Sequence, residues 1–221
     1  MHTHSNSNSV APATQGRTIP WVGYYDTLVN IVAWGKARKL RRDIALKAPY
    51  RVGDKVLDVG CGTGDQALLA KATVGESGEV HGSDASQKMI GIARLKATKV
   101  KSNVDFQVDL IENISHPDAS FDVVMNSLVM HHLPGELKSK GIHECYRVLK
   151  PGGSIYFVDM EPDGAGTIFQ RFSDLMIHLH GGSKRLKNNV QQLIPLLEQS
   201  GFKTIQTGRV NRQLAYVYGK K

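Results

Sequence analysis

The chain has 221 residues, 41% hydrophobic and 22% charged, the balance of an ordinary globular protein long enough to bury one sizeable core. No apolar run approaches the roughly 20 residues needed to cross a bilayer, and the polar N-terminus "MHTHSNSNSVAPATQGRT" lacks the hydrophobic stretch of a secretory signal. The formal net charge of +8 permits acidic partners, but no basic stripe is interleaved with aromatics, so nucleic acid is not an expected partner.

Residues 1–18 read as a disordered tail and 19–221 as a single domain. A helical segment opens it: the apolar "LVNIVAW" runs into "GKARKLRRD", which concentrates Lys36, Arg38, Lys39, Arg41 and Arg42. Leu28, Ile31, Val32 and Leu40 are expected to pack this segment on the domain. The alternative is a membrane-surface element, with Trp34 on its apolar face and a basic end toward anionic lipid.

"KVLDVG" is then a short buried strand and "DQALLAKATV" a helix. "GEVHGSDA" forms a second strand ending at Asp84. "SQKMIGIARLKATKV" forms a second helix, capped by Ser86, with Met89, Ile92 and Leu95 at helical spacing. "VDFQVDL" and "FDVVMNSLV" are strands on either side of a Pro-containing turn. "GELKSKGIHECYRVL" is a helix stopped by "KPGG", and "SIYFVDM" is the next strand. Strand and helix alternate throughout, which calls for a doubly wound parallel sheet of Rossmann-like α/β class with helices on both faces. After Met160 the rhythm changes. "TIFQRFSDLMIHLHGG" and "VQQLIPLLEQSG" read as helices, the first within a short lid insert at about 161–183, and "FKTIQTGRV" with "QLAYVYG" as an antiparallel hairpin at one sheet edge.

The two cysteines, Cys61 in a glycine turn and Cys145 in a helix, do not make a disulfide scaffold and point to a reducing, cytoplasmic setting. Neither His131 with His132 nor His178 with His180 has an acidic or His partner at ligand spacing, so no metal is expected.

Ligands of doubly wound sheets sit beyond the carboxyl ends of the strands. At the first of these lie Gly60, Gly62 and Gly64, where glycine tolerates positive φ and leaves no Cβ in a ligand's way. A dinucleotide fingerprint would need glycine where Asp65 stands, and a carboxylate there repels a diphosphate. Asp84, about 20 residues further on, can accept from two ribose hydroxyls. Asp109, after the third strand, can accept from an exocyclic amine. An adenosine with a positive charge and no phosphate fits these acids, and S-adenosylmethionine has that combination.

The same segments resemble a class I S-adenosylmethionine-dependent methyltransferase. The resemblance rests on "VLDVGCGTG", "GSDAS", "VDL", "FDVVMNSLVMHHL" and "RVLKPGGSIYFVD", in order over about half of the chain. More narrowly, the chain is similar to small-molecule enzymes that include those of ubiquinone and menaquinone biosynthesis. The resemblance implies a seven-stranded sheet with an antiparallel last strand. It implies that Gly60, Cys61, Gly62 and Gly64 approach the methionine part and that Asp58 orders the turn and the amino group. Asp84 would hold the ribose, Ala85 and Met89 would pack near adenine, and Asp109 and Leu110 would meet its edge. Asn126 and Ser127 would lie beneath the sulfonium, and Tyr24 and Tyr25 would close over the donor.

The acceptor is expected to be a small, apolar metabolite with an O, N or C nucleophile. "NSLV" after the fourth strand lacks the Asn-Pro-Pro-Tyr type sequence of amide- and base-methylating relatives, and two cysteines do not suffice for arsenic. Where the acceptor carries a proton, His131 and His132 are the first candidates for its base, with His178 and His180 next. Asp159 and Glu161 would attract a cationic acceptor or cap the following element. Two other functions stay open: a peripheral-membrane lipid or quinone methyltransferase, and a protein that binds S-adenosylmethionine without transferring methyl. Oligomeric state is not legible.

Overall fold

The computed structural model describes residues 35–161 and 190–221. In chain order the elements are α1 (Ala37–Lys47), β1 (Lys55–Val59), α2 (Asp65–Val74), β2 (Glu79–Asp84), α3 (Gln87–Lys99), β3 (Asp105–Val108), β4 (Phe121–Ser127), α4 (Gly135–Val148), β5 (Leu149–Met160), α5 (Ile194–Gln199), β6 (Lys203–Arg209) and β7 (Leu214–Lys220). Short 3₁₀ turns occupy Met130–His132 and Val190–Leu193. The expected tail, the expected lid, Tyr24, Tyr25, Leu28, Ile31, Val32, Trp34, His178 and His180 lie outside the described residues.

The strands form one seven-stranded sheet in the order β3-β2-β1-β4-β5-β7-β6. β1 pairs in parallel with β2 and β4, and β7 runs antiparallel to both β5 and β6, so the expected terminal hairpin and reversed last strand are present. The strand order reverses direction at β1, whose neighbours β2 and β4 lead away on opposite sides. A crevice opens above β1 for that reason.

β1 is buried on both faces, as a central parallel strand must be. Leu57 and Val59 face one core with Ile142, Val148 and Leu197, while Val56 faces the other with Ile44, Ala67, Val74 and Ile90. Asp58 alternates with Leu57 and so is carried into the second core, fully buried.

Two expectations are corrected. In α3 the buried stripe is Met89, Ile90, Ala93 and Ala97, whereas Leu95 is 72% exposed. The small Ala93 and Ala97, not the larger Ile92 and Leu95, let the helix lie close on the sheet. The fifth strand starts earlier than "SIYFVDM": β5 begins at Leu149 and runs to Met160, with Lys150–Gly153 absorbed where the β4 register jumps from Phe121 opposite Leu149 to Val123 opposite Ser154.

Arg147, near the end of α4, fastens the long β3–β4 connection. Its guanidinium donates to Glu144, to Asp118 and to the carbonyls of Ile114 and His116 at 2.7–2.9 Å, while Glu144 accepts the Ile114 amide. Arg147→Ala is expected to cost about 1–3 kcal/mol, since two partly buried carbonyls lose their donor. Chemical unfolding would read this as a lower midpoint at unchanged slope.

Candidate functional site

After Val59 the chain turns through Gly60, Gly62 and Gly64, at φ +73, +53 and +84. The turn is fastened to the neighbouring strand. The amides of Gly60 and Cys61 both donate to the Ser83 carbonyl at 2.7 and 2.8 Å, and the Gly62 amide donates to Asp84 Oδ2 at 3.0 Å. The three glycines serve different ends. A Cβ on Gly60 would stand 2.6 Å from Val129, and one on Gly64 would stand 2.7 Å from Phe106 and 2.9 Å from Ala93. A Cβ on Gly62 would meet nothing within 4 Å. Two glycines admit the protein's own packing, and the third faces open space.

That space is a cleft floored by Gly60–Thr63. Asp84, Ala85, Ser86 and Met89 form one wall, and Ser127, Leu128, Val129, His132 and Leu133 the other. Ala37, Leu40, Arg41 and Ile44 of α1 roof it, and Asp109, Ile111 and Glu112 close the far end. The structure thus brings together Gly60, Cys61, Gly62, Asp84, Ala85, Met89, Asp109, Ser127 and His132 of the residues expected from the sequence.

Others stand apart. Asn126 is sealed beneath the floor, its amide donating to the Val59 carbonyl at 2.6 Å. Leu110 bridges to Asn113, leaving its expected place to Ile111 and Glu112. Asp109 borders the cleft, but it accepts from the Leu110 amide, the Ser115 amide and hydroxyl, and Gln107 Nε2, at 2.8–3.2 Å. These four bonds fill its acceptor positions. Asp109 therefore orders its own loop while it borders the cleft.

Sequence reasoning missed the roof. It assigned Arg41 to a basic surface, whereas the side chain turns inward and pairs with Asp65 at 2.9 Å, and the Arg41 carbonyl accepts from Gln66 Nε2. Lys96 meets Asp65 from the other side, also at 2.9 Å, and donates to Thr63. With two cations on it, Asp65 repels a diphosphate less than its place in the sequence implies. The spacing Ala37, Leu40, Arg41, Ile44 was the available signal, an inward face one helical turn wide.

The electrostatics below the floor are frustrated. Neither carboxylate oxygen of Asp58 has a hydrogen-bond partner. Burial, reinforced by the negative charge of Asp84, pushes its pKa up to about 7. The Ala67 amide acts weakly in the opposite direction but closes no hydrogen bond. Asp84 is also raised, by burial, against the pull of the Ser86 and Gly62 amides. Burial and the same two acids hold the Cys61 thiol well above its usual range, so it stays protonated and unreactive. A cation placed over the floor would relieve all three.

The two histidines part company. His132 is exposed and lines the cleft, whereas His131 turns away to Asp159.

Two predictions follow from the floor. The Asp58 pKa is higher folded than unfolded, so its contribution is fully present below about pH 4 and is lost as pH rises through about 7. Asp58→Asn, uncharged throughout, is expected to melt several degrees above the natural chain at pH 8 and to lose that advantage near pH 4. At the glycines, Gly64→Ala is expected to destabilise by about 2 kcal/mol or more through its clash with Phe106. Gly62→Ala meets only backbone strain, about 1 kcal/mol. Denaturant titration of both variants would test the ordering.

Comparison with known proteins agrees with this architecture. Residues 56–153 match the family model described as "Methyltransferase domain". A demethylmenaquinone methyltransferase of Symbiobacterium thermophilum is 34% identical over 150 residues, covering 67% of this chain and 58% of its own length. One from Lactobacillus johnsonii is 26% identical over 206 residues, covering 85% and 84%. The chain thus spans little more than half of the first relative. A SAM-dependent methyltransferase structure from Aquifex aeolicus superposes with a TM-score of 0.66 at 21% identity, covering 90% of this chain and 96% of its own, and shares the fold. Matched domain, strand order and relatives converge: residues 56–153 are a methyltransferase domain, carried on the fold that S-adenosylmethionine-dependent methyltransferase structures share.

Proposed function

We propose that this chain moves a methyl group from S-adenosylmethionine to a small, apolar acceptor of the quinone type, the class that the names of its relatives denote. One observation carries the reading: a buried carboxylate with two unpartnered oxygens lies directly beneath a backbone turn whose middle glycine faces open space. S-adenosylmethionine suits that arrangement, because it brings an ammonium and a sulfonium to a floor short of positive charge. Bound, it would supply an electrophilic methyl and leave as a neutral thioether.

The residues of the chain divide the remaining work. Gly62 lets the ligand lie against the backbone. Asp84 offers ribose hydroxyls the lone pairs that its two amide bonds leave over. Met89 and Ala85 give adenine an apolar wall, and Asp58 provides the counter-charge. Leu133, Val129 and Ile111 keep water from the acceptor side. His132, with its imidazole ring on the cleft, accepts the acceptor's proton at a ring nitrogen. His178 and His180 are not needed for this assignment.

An outward stripe on α1 supports a membrane-adjacent setting. Arg38, Arg42 and Leu46 succeed one another at one-turn spacing opposite the roof residues; Leu46 is 82% exposed, and Lys36 is exposed at the other end of the helix. Anionic lipid would hold the outer face of the helix whose inner face covers the cleft. No helix among the described residues is long and apolar enough to cross a membrane.

Incubation with methyl-labelled S-adenosylmethionine and demethylmenaquinone reduced to its quinol is expected to label the quinol. Asp84→Ala and Gly62→Ala are expected to lower affinity for the donor at least tenfold, read by calorimetry. Absence of both heat and label would overturn the reading; heat without label would leave only donor binding. Cosedimentation with anionic vesicles is expected to disappear when Lys36, Arg38 and Arg42 are neutralised together and to survive Arg41→Gln. Indifference to vesicles would remove the membrane part.

A further inference from the structure

We propose that Asp159 and His131 are a positioning pair that fixes the His132 ring at the wall of the cleft, the three residues acting as one unit of which only His132 touches the reacting molecules. The inference rests on the methyl-transfer reading above for the role of His132, though not for its placement.

The turn that carries both histidines is held under strain. After β4, Leu128 takes φ +60, a left-handed conformation unfavourable for a branched side chain, and its amide donates to the Val158 carbonyl at 2.9 Å. Val129 then packs against Gly60, where no Cβ has room. The chain winds through one 3₁₀ turn, Met130–His132, with Met130 buried as its anchor. Backbone in an unfavourable conformation persists only where its surroundings over-determine it.

Asp159 supplies that determination. The residue is 4% exposed, near the end of β5. Its Oδ2 accepts the His131 backbone amide at 2.9 Å. Its Oδ1 accepts the His131 Nδ1–H at 2.7 Å and the Met160 amide at 2.7 Å. One carboxylate thus fixes the main chain and the side chain of the same residue, and the bond at Nδ1 settles where His131 carries a proton. The His131 ring stacks on His132 with centroids 3.9 Å apart and planes inclined by 46°. His131 has little exposure of its own and does not reach the cleft; His132 does.

A purely structural use of these residues would be simpler. A buried Asp could end a strand by accepting the Met160 amide alone, and the turn could be closed by apolar side chains. Instead a charge has been buried to hold one imidazole behind another. Behind the pair lies a void of about 10 Å³, room for roughly one water, lined by Met130, Lys138, Val190, Gln192 and Leu193. Lys138 faces it, its pKa lowered by burial and raised in part by Asp159. The carboxylate thus has His131 hydrogen-bonded on one side and the charge of Lys138 on the other.

The test uses the full chain. Asp159→Asn keeps the shape but turns an NH₂ toward at least one of the three donors, and His131→Phe keeps a ring to stack while removing the Nδ1 bond. In the natural chain the His132 Cε1 proton is expected to show an upfield ring-current shift from His131, assigned by its loss in His132→Phe. In Asp159→Asn that shift is expected to collapse toward the free-imidazole value, and kcat for the labelled quinol to fall 10- to 100-fold with KM for S-adenosylmethionine within twofold. Asp159→Glu is expected to restore part of both. An unchanged His132 resonance in well-folded Asp159→Asn would overturn the proposal. So would an unchanged kcat. If Asp159→Asn melts early, His131→Phe decides by the same two readouts. If no labelled quinol forms even with the natural chain, the methyl-transfer reading fails while the resonance still decides the placement.

Discussion

The cleft exists because the end of one strand holds the exit of the next. The Ser83 carbonyl takes two amides of the glycine turn, and the Asp84 side chain takes a third from Gly62 while accepting the Ser86 amide that opens α3. Four donors from two loops converge on two consecutive residues of β2. The turn consequently cannot relax toward the sheet, nor can α3 drift from it, and the backbone at Gly62 remains bare over open space. Everything placed on the walls inherits its position from this knot.

The knot also concentrates negative charge where solvent cannot answer it. Asp58 is fully buried and Asp84 partly so; both are raised by burial, and the charge of Asp84 raises Asp58 further. Natural chains retain unpaired buried acids when another molecule completes them. The charge deficit is local. At the start of the following helix Asp65 sits between Arg41 and Lys96, paired with both. The strand before the turn therefore holds an acid that lacks a partner and the helix after it one that is paired, which separates a receptor from a fastening within a short stretch of chain.

Much of this could be read from residue order alone, for physical reasons that vary by element. The alternation of β-branched runs with helix formers fixes a parallel sheet, because only crossover helices can join such strands. The glycines after β1 and the acid after β2 declare themselves because ligand-facing backbone and strand-end carboxylates follow simple geometric rules. The loop-ordering bonds of Asp109 stayed hidden for an equally simple reason. A strand-end acid looks the same on paper whether its lone pairs face a ligand or, as here, four donors of its own loop. The division of labour between His131 and His132 was also invisible, since it depends on a left-handed leucine and on an acid in β5, distant in sequence. Arg41 was hidden among basic neighbours. Whether one arginine of a cluster turns inward is decided by partners, Asp65 and Gln66, that lie on another helix.

The fastening of α1 has a wider consequence. Its inner face closes the cleft, yet two of its links to the helix below are an ion pair and a side-chain bond to a backbone carbonyl rather than apolar packing. Such links weaken as dissolved ions screen them, while the core beneath is indifferent to salt. Rising ionic strength would therefore loosen the cover without softening the body, and the pace at which spent molecules escape would follow the electrolyte around the protein.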